Sequence, residues 1–255
     1  VMGSMFKTHK ELTLEVVNVL LNNLLPKYFK KEASSFEVKM GLYIVDDMIE
    51  FLGQGLLTNI WPSLAKLVLT YCDDKEPFLR QAAVYGIGEF AVNTTKDFNI
   101  FANEMLEGLD KALRYNSDGQ APAQWATAKD NAVSALGKII KHQYNHVNVP
   151  ELMKKWVEYL PLSEDEIEAK KQHKLFVEML LNNVDLVIGS NKESLPKVIR
   201  ILCKITDTKY VDDDCNAEVK KLIQGIKTNQ LFASYIEIAV NKANKELKAK
   251  VEKLN

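Results

Sequence analysis

Cysteine is scarce in this chain of 255 residues: Cys72, Cys203 and Cys215 are odd in number, far apart and without a C-x-x-C pair. That usage speaks against a disulfide framework and suits a reducing compartment, cytosol or nucleus. An excess of charge of one sign is missing too. Lysine and arginine number 33 against 34 acids, a net charge of −1, so no global basic field draws the chain to nucleic acid or anionic lipid. Long uninterrupted apolar runs are absent. The nearest, LTLEVVNVLLNNLLP, carries Glu15, Asn18, Asn22 and Asn23 and ends without a small-residue cleavage site, which argues against a membrane span and a signal peptide. No nucleophile elbow G-x-S-x-G occurs, so a hydrolase has no local support. Strict apolar–polar alternation, the mark of half-buried strands, is likewise missing.

What is present is helical periodicity. Apolar residues make up 47% of the chain, enough to bury a substantial core, and they recur at spacings of three and four. Breaks are expected at Pro26, Gly53–Gly55, Asp73–Asp74, Asn93–Thr95, Ser117–Pro122, Asn145–Pro150, Pro161–Ser163, Gly189–Asn191 and Thr206–Asp214. Asp73 with Glu76, Ser163 with Glu166 and Ser190 with Glu193 have the spacing of reciprocal helix-start caps, and Asp74, Asp97 and Asp214 offer further caps. Helix, short turn, helix at a period of about forty to fifty residues is the signature of an α-solenoid. The opening VMGSMF reads as an expression remnant over residues 1–4, ahead of a natural stretch starting near Met5.

An internal repeat supports the array. FLRQAAVYGIGEFA (Phe78–Ala91) aligns with TAKDNAVSALGKII (Thr127–Ile140) at a constant offset of 49 residues, placing Arg80 on Lys129, Ala83 on Ala132, Gly86 on Ala135 and Gly88 on Gly137. Small residues at these positions let helices approach closely. Leu79, Ala82, Ala83, Gly86 and Phe90 form one apolar stripe and Val84, Ile87 and Ala91 a second, as a helix packed on two sides requires. The strip left over is Gln81, Tyr85 and Glu89, and in the second copy Asp130, Ser134 and Lys138; it is expected to face solvent or a partner. Gly86, Gly88 and Ala91 also fit the G-x-G-x-x-A spacing of dinucleotide loops. Such a loop needs a preceding strand and a helix starting at the glycines, whereas here the helical run has begun near Pro77.

DDKEPFLRQAAVYGIG resembles a HEAT-repeat junction: acidic residues in the turn, an aliphatic–Arg pair, then Ala-Ala and Gly. The resemblance implies an all-α, right-handed α-solenoid of antiparallel helix pairs, about five to six repeats forming a single array over residues 1–255. It also implies a ladder between repeats made by Asp73 or Asp74 with Arg80, and kinked first helices at Pro26, Pro62 and Pro196. In order along the chain, IVDDMIEF, RQAAVYGIGEFA, AKDNAVSALGKIIK, VNVPELMKKWVEYLPLSEDEIEA and GSNKESLPKVIRIL resemble the C-terminal repeats of importin-β superfamily nuclear transport receptors, nearest the karyopherin beta-3 branch. WVEYLPLSEDEIEA is the most specific of these segments, and the last thirty residues match only loosely.

That resemblance implies a non-enzymatic fragment of a longer receptor, without cofactor or metal, monomeric, and shuttling between cytoplasm and nucleus. Implied partners are protein cargo with basic import signals, nucleoporin phenylalanine-glycine repeats, and Ran-GTP, whose main site lies in repeats outside this chain. If the second helix of each pair lines the concave face, Tyr43, Asp46, Asp47, Glu50, Tyr85, Glu89 and Asp130 are the candidates for contacting basic cargo, with Asp46, Asp47 and Glu50 the best cluster. The alternatives are a HEAT-repeat scaffold of the phosphatase-scaffold or tubulin-binding type, and an enzyme using the glycine pair. His142 and His146 lie four apart where a helix is ending, and His9 and His173 are isolated, so a zinc site has no support. The basic end KANKELKAKVEKLN reads as a solvated capping helix.

Overall fold

The computed structural model describes residues 2–9, 14–57, 59–94, 98–115, 122–243 and 245–253. Every regular element among them is helical, as the periodicity predicts. Packing divides the chain into two compact units, residues 1–147 and 148–255. None of the described helices is long and apolar enough to cross a membrane.

The first unit contains α1 (Met2–Thr8), α2 (Leu14–Val19), a π-helical turn (Leu20–Leu24), α3 (Leu25–Tyr28), α4 (Ser35–Leu56), α5 (Trp61–Thr70), α6 (Pro77–Asn93), α7 (Phe98–Arg114) and α8 (Pro122–His142). They stack in two layers, as consecutive pairs of a HEAT solenoid do. α5 packs on α6 and α7 on α8; α4, α6 and α8 form one layer, while α5 lies against α7 in the other. α6 is at the centre. Leu79, Ala83, Val84, Ile87, Phe90 and Ala91 are buried, while Gln81 and Tyr85 keep partial exposure, and Phe90 meets Trp61 of α5 edge-on at 4.7 Å between ring centroids. Removing each such large apolar side chain from water is worth about 1.5–3 kcal/mol.

The second unit contains α9 (Val149–Tyr159), α10 (Glu166–Asn182), α11 (Val184–Ile188), α12 (Leu195–Ile205), α13 (Asp213–Thr228), α14 (Ala233–Asn241) and α15 (Lys245–Lys253). α9 lies against α12 and α10 against α13, while α12 also carries α14 and α15. WVEYLPLSEDEIEA joins α9 to α10: Trp156 is fully buried against Phe176, and Leu160 and Leu162 are buried in the connection.

Helix boundaries differ from expectation in instructive ways. α4 runs through Gly53–Gly55 to Leu56. Pro62 and Pro196 sit in the first turns of α5 and α12, where a missing N–H costs nothing, so they start these helices instead of kinking them. Pro26 differs: it lies within the continuous helical run from Leu14 to Tyr28, directly after the π-helical turn Leu20–Leu24. Among the caps, Asp165 replaces Ser163 by accepting from the Glu168 amide, and Asp212 replaces Asp214 by accepting from the Cys215 amide. Among the described residues Ser190 makes no cap; Glu193 instead accepts from the Asn191 amide. Asp74 accepts from the Glu76 amide, taking the place expected for Asp73. Ser34 and Glu37 form the reciprocal cap that sequence inspection missed. Thr95, Asp97 and the 116–121 stretch lie outside the described residues.

Candidate functional site

The glycines of YGIGEFA lie in the middle of α6, with no strand before them among the described residues. They set the approach of its neighbours. A Cβ at Gly86 would fall 2.5 Å from the Asp46 Oδ1 on α4 and 3.2 Å from Val68 on α5. At Gly88 it would fall 3.0 Å from Lys138 Cδ and 3.3 Å from Ala135 Cα on α8. These are close-packing positions, and the helix start that a phosphate loop needs is nine residues upstream at Pro77.

The polar strip expected to face solvent is turned inward over much of its length. Glu89, Asp130, Ser134 and Lys138 are all buried, as is Asp46. The reason is that α6 and α8 pack through this strip, so each helix supplies the other's polar partner. Glu89 Oε1 accepts from Lys138 Nζ at 2.9 Å in a buried ion pair, and the two residues are separated by 49 positions, the offset of the internal repeat. Equivalent positions of successive repeats therefore hold opposite charges. The same ammonium lies 4.7 Å from the Tyr85 ring, and the Tyr85 hydroxyl donates to Glu50 Oε2 at 2.9 Å, carrying the network to α4.

Asp46 is the exception within this network. Both its oxygens are buried without a hydrogen-bond partner among the described residues. Burial, and then the negative charges of Asp47, Glu89 and Glu50, push its carboxyl well above the usual range, against the opposing pull of Lys138. Asp47 is half-buried and turns toward α1, accepting from the Gly3 amide. Residues 2–4, read from sequence as a remnant, are thus part of α1 and cover one member of the acidic cluster. Tyr43 is exposed, with Lys39 Nζ 5.3 Å from its ring, and Glu50 and Tyr85 are partly exposed.

Arg80 is fully buried. Its Nη1 donates to the backbone carbonyls of Asp74 (2.6 Å) and Lys75 (3.1 Å), and its guanidinium stacks 3.7 Å from the Tyr115 ring centroid. Burial lowers its basicity, while the neighbouring Tyr115 and the charges of Asp74 and Glu76 oppose that shift. Asp73 is exposed.

Three features were not visible in sequence. His173 is completely buried: its Nε2 accepts from the Leu162 amide at 3.2 Å and its Nδ1 donates to the Tyr210 carbonyl at 2.8 Å, so the imidazole is neutral and clamps two connections. Burial drives its pKa down to about 4. An apolar cavity of about 350 Å³ lies among α10, α11, α12 and α13, lined by Leu181, Val184, Leu195, Leu202, Leu222 and Phe232 and bordered by the Glu218–Lys221 ion pair. A polar cavity of about 450 Å³ lies between α9 and α12. Lining drawn from several helices leaves no local motif to find. Among the described residues no three His, Cys, Asp or Glu side chains are grouped to hold a metal. The cysteines are buried thiols, with Cys72 pushed up to about 12 by burial.

No family model matches the chain. A probable importin-5 homolog of Dictyostelium discoideum is 33% identical over 138 residues, covering 52% of this chain and 13% of the relative. The match thus spans a small part of that relative's length, and it supports a relationship to the importin-β superfamily.

Proposed function

We propose that this chain is part of a nuclear transport receptor of the importin-β type, nearest the karyopherin beta-3 branch, with both units belonging to one HEAT-repeat array. The observation that carries the reading is the 33% identity with the importin-5 homolog, found in a chain whose first unit stacks helices in two layers. In this reading the protein binds cargo and does no chemistry, shuttles between cytoplasm and nucleus, and releases cargo under Ran-GTP control exerted mainly by repeats outside this chain.

The layer of α4, α6 and α8 carries the proposed cargo face. Tyr43, Glu50 and Tyr85 are its reachable members, with Asp47 beside them; Asp46, Glu89 and Asp130 stand behind as buried groups. Partly exposed acids and aromatics suit lysine-rich import signals, through steering and modest affinity. The apolar cavity of the second unit suits phenylalanine side chains of nucleoporin repeats, since it offers aliphatic walls and one aromatic neighbour, Phe232. Asp73 and Asp74 with Arg80 are proposed as the repeat ladder, acting through the turn that Arg80 holds.

The test is a binding assay of the chain, and of the full-length receptor, against a lysine-rich import signal, a nucleoporin phenylalanine-glycine segment and Ran-GTP. Glu50→Lys is expected to weaken the import signal and Leu222→Glu the nucleoporin segment, each leaving the other ligand unaffected. Failure of the full-length protein to bind any of the three would overturn the reading.

A further inference from the structure

The cavity between α9 and α12 gathers three cations: Lys154 from α9, and Lys197 and Arg200 from α12. Two acids, Glu158 and Glu193, share it. Glu193 is already engaged. Its carboxylate occupies the place that a Cβ on Gly189 would need, 2.3 Å away, and it accepts from the Asn191 amide at 3.2 Å. Arg200 is the unusual member. Its Nη1 is buried with no hydrogen-bond partner among the described residues, and burial lowers its basicity. A buried guanidinium N–H without an acceptor is costly, so the position favours an incoming oxyanion.

We propose that this cavity is a docking subsite for a carboxylate side chain of an acidic peptide, read by Arg200 and steered by Lys154 and Lys197. The charge count selects the ligand. Three cations against two acids leave one net positive charge, which matches a monoanionic carboxylate better than a phosphate dianion. The volume agrees: at about 30 Å³ per water, a cavity of about 450 Å³ is far larger than a structural water needs and accommodates a side chain with flanking backbone. Val157 gives the stem of that side chain an apolar wall. The subsite stands independently of the transport reading, which rests on other residues and other ligands.

The experiment is fluorescence anisotropy of a labelled Gly/Ser peptide carrying two adjacent glutamates, titrated with the 255-residue chain at low salt. A Gln-for-Glu peptide, a lysine peptide, acetate and inorganic phosphate serve as comparison arms. Binding of the Glu peptide is expected, falling about tenfold or more in Arg200→Gln and less in Arg200→Lys, which keeps charge but loses the planar fork. The Gln and lysine peptides are expected not to bind. Equal binding by Arg200→Gln, or by the lysine peptide, overturns the proposal. Displacement of the peptide by phosphate at lower concentration than by acetate overturns the carboxylate assignment. Should Arg200→Gln fail to fold, amide shift mapping on the unmodified chain decides: shifts at Lys154, Ser194 and Arg200 support the subsite, and their absence contradicts it.

Discussion

The two units centre on different buried polar groups. In the first, the seam of α4, α6 and α8 encloses ionisable groups: Glu89 and Lys138 satisfy each other, while Asp46 has no hydrogen-bond partner among the described residues. In the second, the buried polar clamp is a neutral imidazole, His173, held between two backbone groups. A paired charge resists mutation of either member, since loss of one strands the other. A buried neutral histidine resists protonation, so the second unit's weakness is acid.

The largest effect expected is on the charged seam. Lys138→Met leaves Glu89 buried and uncompensated, and should cost about 3–5 kcal/mol in urea unfolding followed by circular dichroism. Next comes the neutral clamp. Because His173 has a folded pKa of about 4, below the ordinary 6.5, its contribution is complete above pH 6.5 and is lost as pH falls toward 4. The loss should approach about 3 kcal/mol, and His173→Gln, whose amide can donate to Tyr210 and accept from Leu162, should flatten that slope.

A smaller change probes the packing that brings the charges together. Gly86→Ala drives a methyl toward the Asp46 carboxylate and Val68, and should cost about 1–3 kcal/mol. The smallest effect has the opposite sign. Asp46 is raised in the fold, so its ionisation penalty is absent below its unfolded pKa of about 4 and grows as pH rises through the folded value. Asp46→Asn should therefore stabilise by about 1 kcal/mol at pH 7 and by nothing at pH 3.5. A variant equally stabilised at both pH values would show that this carboxyl titrates normally.

Sequence made the helices legible because three- and four-residue spacing reports burial along one element. It also showed the 49-residue offset and the close-packing role of Gly86 and Gly88, since both depend on small residues at fixed register. It did not reveal which way the polar strip faced. Glu89 and Lys138 look like surface residues when each helix is read alone; only their juxtaposition in space makes them internal. Arg80 was found from its repeat position, but its stacking partner Tyr115 lies far along the chain. His173 joins Leu162 to Tyr210, and the cavities draw on helices separated by loops, so no local pattern marks them. Caps moved by one or two residues because several Ser, Asp and Asn side chains compete for the same amides.

The repeats of α6 and α8 are joined through opposite charges at equivalent positions, Glu89 and Lys138. A double-mutant cycle of Glu89→Gln and Lys138→Met, measured by urea unfolding, isolates that link. The pair as described predicts a coupling of about 2 kcal/mol or more, with the double variant more stable than Lys138→Met alone. Single effects that add to within about 0.5 kcal/mol would contradict it.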